Sequence, residues 1–165
     1  MPDVTLRRDE TIVRALKVHG DTILRLAYSY LHNLSDAEDV LQDTMIQLMK
    51  NMPTFESQEH EKAWLLRVAI NLCKNKLKSS WFKTVGIPDD FQMESTSNET
   101  SEVWYAVLSL SQKYREVIHL FYYEGYSTLE IASLLEKNES TIRSLLHRAR
   151  GLLKKSLKGA YDFDE

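Results

Sequence analysis

The stretch that decides the fold is "STLEIASLLEKNESTIRSLLHRARGLLKK", Ser127 to Lys155. Ser127 followed by Glu130 is a capping box, in which each side chain satisfies a backbone N–H at a helix start. "STLEIASLL" is therefore a short helix, "EKNE" a tight turn, and the remainder a longer helix with an apolar stripe of Ile142, Leu145, Leu146, Ala149, Leu152 and Leu153. Its outward positions are Ser140, Thr141, Arg143, Ser144, His147, Arg148, Arg150 and Lys154. The early ones are small or hydrogen-bonding, and the later ones are cationic. A recognition helix needs this division, because its first turns reach base edges in the major groove and its basic end reaches phosphates. Short helix, turn and basic helix together predict a helix-turn-helix. A basic helix that merely faces solvent would not need the polar first turns.

The rest of the chain is helical in pattern. Its 165 residues hold five glycines and three prolines, too few turns for a many-stranded β fold. Apolar residues recur from Thr11 to Leu31 (Ile12, Leu16, Ile23, Leu26, Ala27, Tyr30), and Gly20 is a candidate break. In "NLSDAEDVLQDTMIQLMKNM", Ser35 and Glu38 read as a second capping box. Ala37, Val40, Leu41, Met45, Leu48 and Met52 form the stripe of that helix, and Pro53 stops it. "TFESQEHE" reads as a loop and "KAWLLRVAINLCKNKLKSS" as the next helix. There Trp64, Leu65, Val68, Ala69, Leu72 and Leu77 are expected in the core. Arg67, Asn71, Lys74 and Lys78 make an outward stripe with no acid in it.

Residues 84–102, "TVGIPDDFQMESTSNETSE", carry five acids and no base and read as a linker. Helical pattern resumes near Glu102 in "VWYAVLSLS" and "QKYREVIHLFYYEG", the latter ended by Gly125. The expected fold is all-α: a helical domain over 1–83, the acidic linker 84–102, and a helix-turn-helix domain over 103–165.

Charge follows this division. The net charge is −3, which by itself argues against a nucleic-acid partner. Residues 61–83, however, hold six basic side chains against one acid, and 139–158 again six against one. Two basic helical zones are separated by an acidic bridge.

Enzymatic chemistry finds no foothold. The five histidines form no metal-binding HExxH pair, and no glycine-rich phosphate loop is present. The single cysteine, Cys73, lies on the inner side of its helix and reads as core. The chain start lacks the apolar core of a signal peptide, no run is apolar enough to span a bilayer, and a lone cysteine fits a reducing cytoplasm.

The motifs resemble those of bacterial sigma factors of the small extracytoplasmic-function group. "SDAEDVLQDTMIQLMKNMPTF" is similar to the family's polymerase-binding helix, and "KAWLLRVAINLCKNKLKSS" to its promoter-melting helix. "LSLSQKYREVIHLFYYEGYSTLEIASLLEKNESTIRSLLHRARGLLKK" resembles its C-terminal promoter-binding domain, with Ser111 where the family often has proline. The resemblance implies that Arg67, Asn71, Lys74 and Lys78 touch the melted −10 strand, and that the loop 53–61 holds a flipped base. It implies that the 139–155 helix reads the −35 element, through Ser140, Thr141, Arg143, Ser144, His147, Arg148, Arg150 and Lys154. Asp39, Gln42, Asp43, Ile46 and Gln47, with Lys50, would dock on a coiled coil of the largest subunit of core RNA polymerase. The C-terminal domain would meet the polymerase flap region. Promoter DNA and an anti-sigma factor are further implied partners, with no cofactor, no metal and no membrane insertion. The alternative on the residues alone is a helix-turn-helix regulator that binds DNA without core polymerase.

Overall fold

A computed structural model of the chain describes residues 4–79 and 98–157, with side chains from 7 and from 102. The linker expected over 84–102 lies outside the described residues as far as 97, and the acidic C-terminal tail from residue 159 lies outside them too. Every described element is helical, and the chain divides into two compact units, Met1–Asp89 and Asp90–Glu165.

In the N-terminal unit α1 spans Val4–Leu31, α2 Leu34–Asn51 and α3 Gln58–Lys78. Helix α1 runs unbroken through Gly20, which is buried, and a Cβ there would sit 3.5 Å from Leu16 Cδ1, an ordinary contact. Leu16 itself is exposed, although it falls in the apolar recurrence. The helix ends at His32 in the left-handed conformation (φ 55°), whose N–H reaches Tyr28 O at 2.8 Å.

That ending displaces the expected start of α2. Asn33 is the N-cap, and its side chain accepts from Asp36 N–H at 2.9 Å. Ser35 is therefore already inside the first turn, and the capping box expected at Ser35 and Glu38 does not cap. Asparagine caps as well as serine, and it stands where the chain leaves His32. At the other end Met52 is left-handed (φ 40°), and Pro53 has no N–H with which to continue the helix.

Helix α3 also starts earlier than its apolar pattern. Ser57 caps it by accepting from His60 N–H at 3.0 Å, so Gln58–Glu61 are the first helical turn and not loop. Its acids Glu59 and Glu61 suit the positive end of the helix dipole. The buried face is Leu65, Leu66, Ala69, Ile70 and Cys73. These residues meet Ile23, Leu26, Ala27 and Tyr30 of α1 and Val40, Met45 and Leu48 of α2 as the unit's core. Trp64, Val68, Leu72 and Leu77, expected in the core, are only half-buried. Residues two apart point to roughly opposite sides of a helix, so Trp64 and Val68 flank one side of the buried Leu65 and Ala69 while Leu66 and Ile70 flank the other, and it is the Leu66–Ile70 side that is fully covered.

In the C-terminal unit α4 spans Asn98–Ser109 and α5 Gln112–Ile118. The first begins at Asn98, inside the stretch expected to be linker. Buried Arg115 donates to Leu110 O at 2.7 Å and Leu108 O at 3.4 Å, closing the end of α4. Ser111 holds φ −64°, the angle a proline ring would fix, so the missing proline leaves the start of α5 in place. Helix α5 passes into a π-helical turn, His119–Tyr123, in which Glu124 N–H reaches back five residues to His119 O. Gly125 then turns the chain at φ 75°.

Helices α6 (Thr128–Leu135) and α7 (Glu139–Leu157) complete the helix-turn-helix. Both bonds of the capping box form: Glu130 N–H to Ser127 Oγ at 3.1 Å, and Ser127 N–H to Glu130 Oε1 at 3.0 Å. Glu136 adopts φ 55° in the tight turn. Thr128 Oγ1 donates to Glu139 Oε1 at 3.0 Å and ties the two helix starts together. Ile131, Leu134 and Leu135 of α6 share a core with Ile142, Leu145, Leu146, Ala149 and Leu153 of α7. Leu152, expected in that stripe, is 42% exposed because it follows Ser144 and Arg148 along the outer ridge.

Candidate nucleic-acid interface

Burying one face of α7 decides what the other face can do. Ser140, Thr141, Arg143, Ser144, His147, Arg148 and Lys154 are all exposed. The first turns present short hydroxyls, and the cations come later. Arg143 has an ion pair of 3.9 Å with Glu139 one turn back, an exposed contact of small worth. Arg150 differs from the others. It is half-buried, its Nε donates to Tyr122 Oη at 2.6 Å, and its guanidinium lies 5.5 Å and 5.7 Å from the Phe121 and Tyr122 ring centres. Consecutive aromatics on the π-helical turn hold it against the body of the unit. Arg150, expected among the outward DNA-contacting residues, stands on the basic face with its orientation already set.

The second basic face is on α3. Arg67, Asn71 and Lys78 are exposed and Lys74, one turn after buried Ile70, is half-buried. Trp64, half-buried and not core, heads this stripe three residues before Arg67. Its ring meets Phe55 edge-on at 5.8 Å, and Phe55 meets His60 at 5.4 Å. An aromatic face thus adjoins the cations, which suits unpaired bases better than a duplex. On the sequence Trp64 is ambiguous between core and a stacking platform, its place in an apolar row favouring core, and the half-buried ring fits the second use.

The ridge on α2 is open. Asp39, Gln42, Asp43, Ile46 and Lys50 are exposed and Gln47 is half-buried. Asp39 lies 3.8 Å from Lys76 Nζ, and Asp36 lies 4.0 Å from it, so α3 steadies the first turn of this ridge.

Beside the loop Pro53–Ser57 is a cleft of about 380 Å³ with Arg14, Phe55, Gln58 and Glu61 among its lining residues. Glu61 is 5% exposed and faces Arg14 at 3.3 Å and His19 at 3.7 Å. Burial holds the His19 imidazole below its ordinary pKa, against the opposing pull of Glu61. Sequence reasoning missed this trio, because Arg14 and Glu61 are 47 residues apart and no local pattern links them.

Cys73 is fully buried, and burial pushes its thiol pKa up to about 12. At pH 8 the thiolate is then on the order of 10⁻⁴ of the population. The native protein is expected to leave a thiol reagent at pH 8 unconsumed for as long as it stays folded, and to react within minutes once denatured. Equal rates in the two states would place Cys73 at the surface. Among the described residues no three histidine, cysteine, aspartate or glutamate side chains group as a metal site, and no described helix is long and apolar enough to cross a membrane.

Two family models match the chain: Sigma-70 region 2 over residues 16–83 and Sigma-70 region 4 over residues 100–153. The chain is 27% identical over 162 residues to the ECF RNA polymerase sigma factor SigW of Bacillus subtilis, covering 86% of each. It is 31% identical over 145 residues to the ECF RNA polymerase sigma factor BldN of Streptomyces coelicolor, covering 79% of this chain and 54% of that protein. Among solved structures it resembles the sigma factor RpoE of Bartonella quintana, crystallised with the anti-sigma factor NepR. That likeness has a TM-score of 0.75 at 22% identity, over 92% of this chain and 99% of the other, and it bears on the fold. The region 2 match takes in the ridge on α2, the stripe on α3 and the cleft apart from Thr11 and Arg14, which precede it, and the region 4 match takes in the helix-turn-helix.

Proposed function

The chain belongs to the extracytoplasmic-function sigma factors of RNA polymerase, and on that premise we propose how its surfaces divide the task of directing core polymerase to a promoter. Such a factor binds core enzyme, recognises promoter DNA and helps to melt it. The observation that carries the residue assignments is that each unit keeps one cationic helical face clear of its own core. In α7 that face begins with hydroxyls and ends with cations, as duplex reading requires. In α3 the cations follow an aromatic ring, as single-strand binding requires.

Helix α7 therefore reads the −35 element as duplex. Ser140, Thr141, Arg143, Ser144, His147 and Arg148 face the bases, and Arg150 and Lys154 face phosphates. Arg67, Asn71, Lys74 and Lys78 track the melted −10 strand, on which Trp64 supplies a stacking surface. The cleft by the Pro53–Ser57 loop receives a base turned out of the stack. The acidic and amide ridge of α2 docks on a basic element of the polymerase, where Asp43 stands as the open carboxylate beside Asp39. The reaction is the polymerase's own; this chain positions and opens the template, in the cytoplasm where polymerase and promoter meet. The RpoE neighbour was solved with an anti-sigma factor, and we extend a partner of that kind to this chain. A regulator that binds DNA without core polymerase is disfavoured, since it would leave the α2 ridge without a purpose.

Charge reversal tests the docking ridge. Asp43→Arg is expected to weaken capture of the chain by core polymerase at least tenfold, on the order of 1.4 kcal/mol, with an unchanged helical circular dichroism spectrum. Asp43 is exposed and outside the core, so the fold does not depend on it. Wild-type capture by the reversed protein would remove the ridge from the interface.

A further inference from the structure

The cleft beside the loop is already shaped before anything enters it. Glu56 N–H donates to His60 Nδ1 at 3.1 Å, and Phe55 packs edge-on against His60 and Trp64, so the loop is fastened to α3. Leu48, Met52 and Phe55 give the cleft apolar walls, and Arg14 is the cation among its lining residues. The Arg14 side chain is 59% exposed, while the Glu61 side chain that it meets is 6% exposed. A carboxylate so buried is costly unless partnered. Glu61 answers this by accepting from Arg14 Nη2 at 3.3 Å and by facing His19 at 3.7 Å. The contact employs one nitrogen of the Arg14 fork and anchors its orientation. The other guanidinium donors remain available at the cleft.

We propose that Arg14, held by Glu61, is a specificity-determining residue that selects guanine or cytosine over adenine or thymine for the base entering this cleft. The inference rests on the melted-strand reading of the loop and names what that reading leaves open. A guanidinium presents N–H donors and no acceptor. Guanine offers O6 and N7 as adjacent acceptors, the commonest arginine target among bases. Cytosine, once unpaired, offers N3 beside O2. On adenine and thymine the corresponding edges alternate donor with acceptor, so a second guanidinium N–H would meet another donor. The Phe55 ring supplies an apolar wall for the face of the base, without preference among bases.

The test uses the full chain in complex with core polymerase, on forked promoter DNA whose single-stranded −10 segment is randomised, with sequencing of the bound pool. The wild-type pool is expected to fix guanine or cytosine at one position. Arg14→Ala should relax that position about tenfold and leave the others unchanged. Arg14→Lys keeps the charge and can keep the pair with Glu61, but it lacks the planar fork. It should therefore relax the same position, and lower affinity for the preferred sequence, while thermal melting holds. A strut that only joins α1 to α3 would be rescued by lysine. Wild-type preferences at every position in both variant pools would overturn the inference, as would adenine or thymine at the position that responds. A wild-type pool with no preference anywhere would overturn the melted-strand reading itself.

Discussion

Replacing Arg143 and Arg148 together with alanine is expected to abolish recognition of the upstream promoter element while the C-terminal unit melts as before. Both side chains are exposed on α7, and the helix is held by Ile142, Leu145, Leu146, Ala149 and Leu153 on its other side. The long pair of Arg143 with Glu139 contributes little to the fold. Each arginine that grips a base edge with two bonds is worth about 1–3 kcal/mol. If the two act independently, their loss costs roughly 2–6 kcal/mol, or about 30-fold to 10⁴-fold in affinity. Arg150 would be a poorer probe, because its removal also strips a partner from Tyr122 and cover from Phe121. Holoenzyme binding to a −35 duplex, titrated with salt, measures the effect. Loss for all sequences alike would mean that both arginines serve phosphates, and wild-type affinity would mean that α7 is not the reader.

Removing the cations of α3 should produce the other large effect. The triple substitution Arg67→Ala, Lys74→Ala, Lys78→Ala leaves Leu65, Leu66, Ala69, Ile70 and Cys73 packed as they are. Each phosphate contact on a single strand contributes about 0.7 to the slope of log K against log salt, so losing three should flatten it by about two units. Binding to forked DNA should fall by orders of magnitude at moderate salt, while binding to the −35 duplex is spared. Trp64→Ala should add a loss on the order of 1–3 kcal/mol if its ring carries a base. An unchanged salt slope in the triple variant would show that the melted strand passes elsewhere.

How far the sequence could be read depended on whether a feature was local. The capping box at Ser127 and Glu130 is a matter of four consecutive residues, and it forms as written. The same pattern at Ser35 and Glu38 does not, because His32 turns left-handed and hands the cap to Asn33. The first turn of α3 was hidden for a related reason: Gln58–Glu61 offers no apolar periodicity, and Ser57 alone marks the start. Faces were legible only to within one row. Arg67, Asn71, Lys74 and Lys78 lie between the two apolar rows and emerge outward whichever of them is buried. The choice between Trp64–Val68 and Leu66–Ile70 was made by α1 and α2. Features that join distant residues gave no signal. The ion pair of Arg14 with Glu61 is of that kind, and so is the grip of Tyr122 on Arg150. The π-helical turn that presents Tyr122 is also silent, since "HLFYY" reads as helix with or without one residue more in the turn.

The central claim is that one chain lends core polymerase both the grip on a promoter and the power to open it. Run-off transcription with purified core enzyme, on a library of promoter fragments and with or without this chain, tests that directly. Transcripts that start at discrete positions only when the chain is present, and that vanish with either the α3 or the α7 substitutions, are the expected result. DNA binding by the chain alone, with transcription by core enzyme indifferent to its presence, would contradict it.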